Sequence, residues 1–153
     1  MEKEFKIPKL KFELKYKERV KQEMLFTLKT SEDCVKAFRA LFHPKNMEWY
    51  EEAYVLCVNR NNKVIGGFKL SSGGTSGTII DPKLIFSQAL KLPISGIVIA
   101  HNHPSGNLNP SRADRDITKK VKKGGELLDI VLLDHIIITS ESYYSFADNN
   151  ELQ

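Results

Sequence analysis

Gly96-Ile-Val-Ile-Ala-His-Asn-His-Pro-Ser-Gly-Asn-Leu-Asn-Pro-Ser-Arg-Ala-Asp114 is the stretch on which the reading of this chain turns. Its first five residues are apolar without interruption, as in a central strand covered on both faces. Residues two apart in an extended backbone point the same way, so His101 and His103 can converge where that strand ends. Pro104, Gly106 and Pro110 then shape a turn that brings a helix start back towards them. Ser111 and Asp114 stand three apart at that start. Two imidazoles and a carboxylate are one of the donor sets that hold a catalytic zinc and leave its fourth position open. A second reading competes: Ser-x-x-Asp is also an N-cap signature, and on that reading His101 and His103 are loop histidines. The two are compatible, because a helix start can aim Asp114 at a metal.

Working outward, a helix is expected from Arg112 towards Lys123, stopping at Gly124-Gly125, followed by a strand from Asp129 to Thr139 and a short last strand within Tyr143–Ala147. Upstream, Glu52–Asn59 and Lys63–Leu70 are apolar runs joined by Arg60-Asn61-Asn62, a hairpin signal. Asp81-Pro82 forms an N-cap and first-turn pair for a helix through Leu90, with Leu84, Ile85, Phe86 and Leu90 inward. Thr30-Ser-Glu-Asp33 opens another helix, whose apolar face (Val35, Phe38, Ala40, Leu41, Phe42) ends near His43-Pro44. His43 reads as a solvated cap rather than a ligand. Lys11–Lys17 alternates charged and apolar residues and predicts a half-exposed strand. The small-residue loop Ser71–Gly77 lacks the Lys-Ser/Thr ending of a phosphate-binding loop.

The chain has 153 residues, 41% of them hydrophobic and 27% charged, which suits one globular domain able to build a core without a structural metal. A metal here is therefore expected to serve chemistry rather than folding. The charged start, Met1-Glu-Lys-Glu-Phe-Lys6, does not read as a signal peptide, and no apolar run is long enough to span a bilayer, so a cytoplasmic protein without a membrane partner is expected. Cys34 and Cys57 match no metal or redox spacing and read as buried free thiols. The net charge of +4 and pI of about 9.0 allow weak nucleic-acid contact through lysines 3, 6, 9, 11, 15 and 17 or through Lys119–Lys123. The second cluster is also explained by the favourable placement of cations near a helix C-terminus.

His101-x-His103-Pro104 followed by Ser111 and Asp114 resembles the JAMM (JAB, MPN+) metalloprotease signature. His101-Asn-His-Pro-Ser-Gly106, Ile117-Thr118 and Leu133-Asp-His-Ile-Ile137 resemble more closely the RadC-like JAB domain, with a likeness running from about Glu51 to Phe146. The resemblance implies an α/β fold, a single JAB/MPN (cytidine-deaminase-like) domain with a mixed central β-sheet flanked by helices at residues 49–153. Residues 1–48 would be a basic strand-and-helix extension packed on it. It implies one zinc per chain, held by His101, His103 and Asp114 plus water, with Glu52 as general base and Ser111 as donor to the oxyanion. Glu51 is the competing base, since neighbouring strand residues face opposite sides and only one can aim at the metal. The implied activity is hydrolysis of a peptide or isopeptide bond in a protein or peptide substrate. Asp134 and His135 are candidates to orient a ligand, although a satisfied core histidine is the favoured reading for His135.

Two alternatives stand beside this. Longer RadC-like proteins carry an N-terminal helix-hairpin-helix-like region and an association with DNA repair, so the domain could act as a nucleic-acid-associated binding module; the sequence has no room for that region before Glu51. An inactive scaffold would have little reason to keep all four motif residues. The contiguous His-Asn-His is not the dispersed pattern of HNH nucleases, and the chain lacks the His-Glu-x-x-His and Pro-Cys-x-x-Cys motifs of other zinc hydrolases.

Overall fold

The computed structural model describes residues 8–11, 13–73 and 80–153. Among these residues three α-helices, α1 (Ser31–Arg39), α2 (Pro82–Ala89) and α3 (Arg112–Leu127), accompany five strands: β1 (Glu52–Val58), β2 (Val64–Ser72), β3 (Gly96–Asn102), β4 (Val131–Ile138) and β5 (Tyr143–Ser145). They form one mixed sheet in the order β2-β1-β3-β4-β5, with β3 and β4 parallel and the other pairs antiparallel. The parallel pair needs a crossover, and α3 supplies it.

Strand alternation sorts the core into two layers. Tyr54, Leu56 and Val58 of β1, with Val98 and Ala100 of β3, pack against Val35 and Phe38 of α1. Ala53, Val55 and Cys57, with Ile97 and Ile99, pack on the other face against Ile85, Phe86 and Ala89 of α2 and Val121 of α3. The central strands β1 and β3 are buried along their whole length, as expected of strands covered on both faces. Cys34 and Cys57 are buried free thiols, both pushed up to about 12 by burial.

Local signals explain the element starts. Thr30 accepts from the Asp33 backbone N–H while the Asp33 carboxylate accepts from the Thr30 N–H, so α1 opens on a capping box. Asp81 accepts from the Lys83 N–H ahead of Pro82. His43 is exposed, and its Nδ1 accepts from the Lys45 N–H to cap the 3-10 turn Pro44–Asn46.

Three expectations need correction. Lys11–Lys17 forms no strand among its described residues, which are exposed and have no neighbouring strand to pair with; Phe12 lies outside the described residues. Leu28, α1 and Met47 share a core layer with β1, so this part of the segment before residue 49 packs on the sheet. On α2, Leu84 and Leu90 are exposed and Ala89 takes the inward place. Finally, α3 runs through Gly124 and Gly125 to Leu127, which leaves Lys119–Lys123 outside its last turn. A Cβ on Gly125 would lie 2.3 Å from the Ile130 carbonyl oxygen, and one on Gly124 would lie 2.9 Å from the Phe86 ring. Close packing explains the glycine pair, and the helix stop lies beyond it. Ser71 and Ser72 close β2, while the loop from residue 74 to Gly77 lies outside the described residues.

Candidate metal centre

His101 lies inside β3, one residue before its end, and is fully buried. It pairs across the sheet with Ala53 of β1 and Ile137 of β4, so its side chain emerges on the α2/α3 face. His103 follows the strand. Its N–H donates to the Ile138 carbonyl, its carbonyl accepts from the Gly106 N–H, and Gly106 takes φ of +81°, a conformation that favours glycine. This turn carries the chain to Ser111, the N-cap of α3, and so returns Asp114 to the histidines.

The three side chains meet there. His101 Nε2 lies 3.0 Å from His103 Nε2 and 3.1 Å from Asp114 Oδ1, and His103 Nε2 lies 3.7 Å from Asp114 Oδ2. One ligand atom from each residue falls within 4.8 Å of the others. The chemistry of this donor set fits a cation. His103 Nδ1 lies 2.6 Å from the Asn107 carbonyl; a carbonyl only accepts, so Nδ1 carries the hydrogen and a neutral ring turns its Nε2 lone pair towards the cluster. A carboxylate and ring nitrogens at these distances suit zinc.

Ser111 forms the capping box that the spacing allowed. Its hydroxyl donates to Asp114 Oδ2 at 2.7 Å and accepts from the Asp114 N–H at 3.0 Å, and its own N–H donates to the same oxygen at 2.7 Å. Oδ2 is thereby occupied, and Oδ1 is the oxygen nearer His101. Burial acts to raise the Asp114 pKa, but the neighbouring His101 and the hydrogen bonds from Ser111 outweigh it, so the carboxyl is held well below its ordinary value.

Glu52 is not aimed at this cluster. Its neighbour Ala53 shares the face of His101, and Glu52 alternates to the α1 face beside Tyr54. There its Oε1 accepts from Lys69 Nζ at 2.6 Å, Asn46 Nδ2 at 3.3 Å and Ser72 Oγ at 3.4 Å, and the residue is buried. The Glu51 carbonyl accepts from the Gly73 N–H and so continues the β1–β2 ladder. Alternation then gives Glu51, which is half-buried, the side of the sheet that carries His101. Of the two candidate glutamates, Glu51 and not Glu52 thus stands on the face of His101.

Asp134 and His135 part company in the same way. Asp134 faces away from the metal cluster: its carboxylate accepts from Ser145 Oγ and from the N–H groups of His135 and Ala147, which fixes the turn after β5. Burial raises its pKa against the pull of those bonds. His135 is fully buried, yet its Nε2 lies 2.9 Å from His101 Nδ1 and its Nδ1 lies 2.6 Å from Thr118 Oγ1. It is a satisfied core histidine, as favoured, and it also braces the ring of His101. Burial, with the neighbouring His101 adding to it, pushes the His135 pKa well below the ordinary imidazole value. Sequence reasoning gave Thr118 no role, although its place four residues after Asp114 on a helix puts the two on one face.

The sequence model of the RadC-like JAB domain family matches residues 28–152. Among curated relatives, the chain is similar to a protein named UPF0758 from Flavobacterium johnsoniae, 54% identical over 99 residues that cover 65% of this chain and 43% of that protein. Similar proteins of the same name occur in Porphyromonas gingivalis, 44% identical over 103 residues (67% and 45% of the two chains), and Thermotoga maritima, 39% identical over 98 residues (64% and 44%). The chain spans less than half the length of each of these relatives. Among the described residues no helix is long and apolar enough to cross a membrane.

Proposed function

Because this chain belongs to the RadC-like JAB domain family, we propose that it is a zinc-dependent hydrolase of the JAMM type that cuts a peptide or isopeptide bond. The observation that carries this reading is the convergence of His101, His103 and Asp114 at the end of β3. His101 Nε2, His103 Nε2 and Asp114 Oδ1 would hold one zinc per chain. When bound, zinc supplies Lewis acidity, enough to make a water it carries a competent nucleophile near neutral pH.

The chain's own residues supply the rest. Glu51 would accept the proton of the attacking water and return it to the leaving amine, so that water adds across the carbon–nitrogen bond and yields an acid and an amine. Glu52, held by Lys69 on the other face, would stabilise the base-bearing end of β1 instead. Ser111 would hold Asp114 in place, and its hydroxyl could reach a developing oxyanion only by turning away from Oδ2.

Zinc content and hydrolysis test this reading together. Wild-type protein should hold one equivalent of zinc and His103→Ala should not. Glu51→Gln should keep the zinc but slow cleavage by about 10²–10⁴-fold, which suits it to capturing cellular proteins that the wild type then cuts. A wild type with less than one equivalent after zinc supplementation, or cleavage unchanged in Glu51→Gln, would sink the respective claim. Salt-dependent duplex binding together with an inert zinc site would favour a nucleic-acid-associated binding module instead.

A further inference from the structure

We infer that Thr118 is a positioning residue: through His135 it fixes His101 in the tautomer that presents a bare Nε2 to the metal, while the same hydroxyl ties the backbone of the second ligand, Asp114. This rests on the zinc reading of the site, and it assigns the buried polar pair behind that site.

Thr118 Oγ1 lies 2.6 Å from the Asp114 carbonyl oxygen and 2.6 Å from His135 Nδ1. A carbonyl can only accept, so the single hydroxyl hydrogen goes to Asp114. The hydroxyl then faces His135 with a lone pair, and His135 Nδ1 must carry a hydrogen to bond it. His135 is fully buried, stacked on Phe146 with centroids 4.7 Å apart and planes at 8°. Among the described residues its two ring nitrogens hydrogen-bond with Thr118 and His101 and with no carboxylate, so burial keeps the ring uncharged. With Nδ1 protonated, its Nε2 is an acceptor. The His101 Nδ1 that lies 2.9 Å away therefore donates. A neutral His101 that carries its hydrogen on Nδ1 has none on Nε2, the atom that faces Asp114 Oδ1 and His103 Nε2. The direction of the relay is set at its far end, because a helix carbonyl is a fixed acceptor and cannot reverse.

Removing the hydroxyl should therefore reverse the relay. With Thr118→Val, His135 Nδ1–H would be buried without an acceptor, a cost the ring avoids by moving its hydrogen to Nε2. That atom would then donate to His101 Nδ1, and the hydrogen of His101 would shift to Nε2 and block the ligand position. Thr118→Ser keeps the hydroxyl and should keep the relay.

Two measurements decide the matter. Long-range proton–nitrogen correlation spectra of zinc-free wild type at about pH 8.5, above the ordinary imidazole range, should place the hydrogen of both His101 and His135 on Nδ1, and in Thr118→Val on Nε2. Zinc affinity, measured by competition with a chelator, should fall about 10–100-fold in Thr118→Val and return in Thr118→Ser. A wild-type His101 protonated on Nε2, or a Thr118→Val that binds zinc as tightly as the wild type, would overturn the inference. Wild-type protein that takes up no zinc would instead end the hydrolase reading, and the tautomer of His101 would then decide the relay alone.

Discussion

Asn102 stands between two candidate ligands, His101 and His103, and faces away from both. Its Oδ1 accepts from the Glu52 N–H at 2.7 Å, and its Nδ2 donates to the carbonyls of Met47 at 2.8 Å and Tyr50 at 2.7 Å. It thereby ties the turn ahead of Glu51 to the strand that carries His101, and it is fully buried. Asn102→Ala would leave one N–H and two carbonyls in the interior. Each such group costs about 1–3 kcal/mol, so a loss of about 3 kcal/mol is expected after the turn relaxes, read as a lower midpoint in urea unfolding. Asn102→Asp should not restore it, because a carboxylate has nothing to donate to either carbonyl. An unchanged midpoint in both variants would mean that the turn holds without this side chain. The convergence of His101, His103 and Asp114 was legible in the sequence because its spacing is local: a strand end, a turn and a helix start lie within fourteen residues, from His101 to Asp114. The base was not. Alternation shows that Glu51 and Glu52 face opposite ways, but only the pairing of Ala53 with His101 says which way is the site.

At the scale of the element, α3 shows where a local rule yields to packing. A glycine pair after a run of lysines reads as a helix stop, and for an isolated helix that reading is sound. Here the helix continues to Leu127, because the space that a side chain would fill at these positions already belongs to Phe86 of α2 and to the Ile130 carbonyl ahead of β4. The two sites should respond differently to the same substitution. Alanine gains up to about 1 kcal/mol over glycine in a helix interior. At Gly124 its Cβ would meet a ring atom of Phe86 at 2.9 Å, and a side chain can turn aside, so Gly124→Ala should be close to neutral. At Gly125 it would meet a backbone oxygen at 2.3 Å. The α3–β4 junction would have to open, and Gly125→Ala should lose about 1–3 kcal/mol. Chemical unfolding of the two variants side by side checks the order, and equal stabilities would show that the junction yields freely. Uninterrupted apolar runs, by contrast, marked β1 and β3 well, because burial on both faces leaves its mark in the residues themselves.

For the whole molecule, the question is whether the metal holds the fold or only uses it. Two apolar layers cover both faces of the sheet, and neither contains a ligand residue. The three ligands sit at the edge of this core, on β3, the turn after it and the first turn of α3, and hydrogen bonds hold each of them without a metal. The zinc-free protein should therefore stay folded, unlike small domains whose core is the metal site itself. Zinc should add only its binding free energy. At a free concentration about 100 times its dissociation constant that is about 2.7 kcal/mol. In a chain of this size about 1 kcal/mol moves the melting temperature by about 2–4 °C, so a rise of about 5–10 °C is expected. Melting followed by circular dichroism, with zinc added and then removed by a chelator, should show that rise and its full reversal, with an unaltered spectrum at 25 °C throughout. His103→Ala should melt at the same temperature in both conditions, because it lacks a ligand but not a core residue. If the chelator unfolded the wild type at 25 °C, zinc would be part of the core's stability, and the separation of scaffold from site read from the two apolar layers would be wrong.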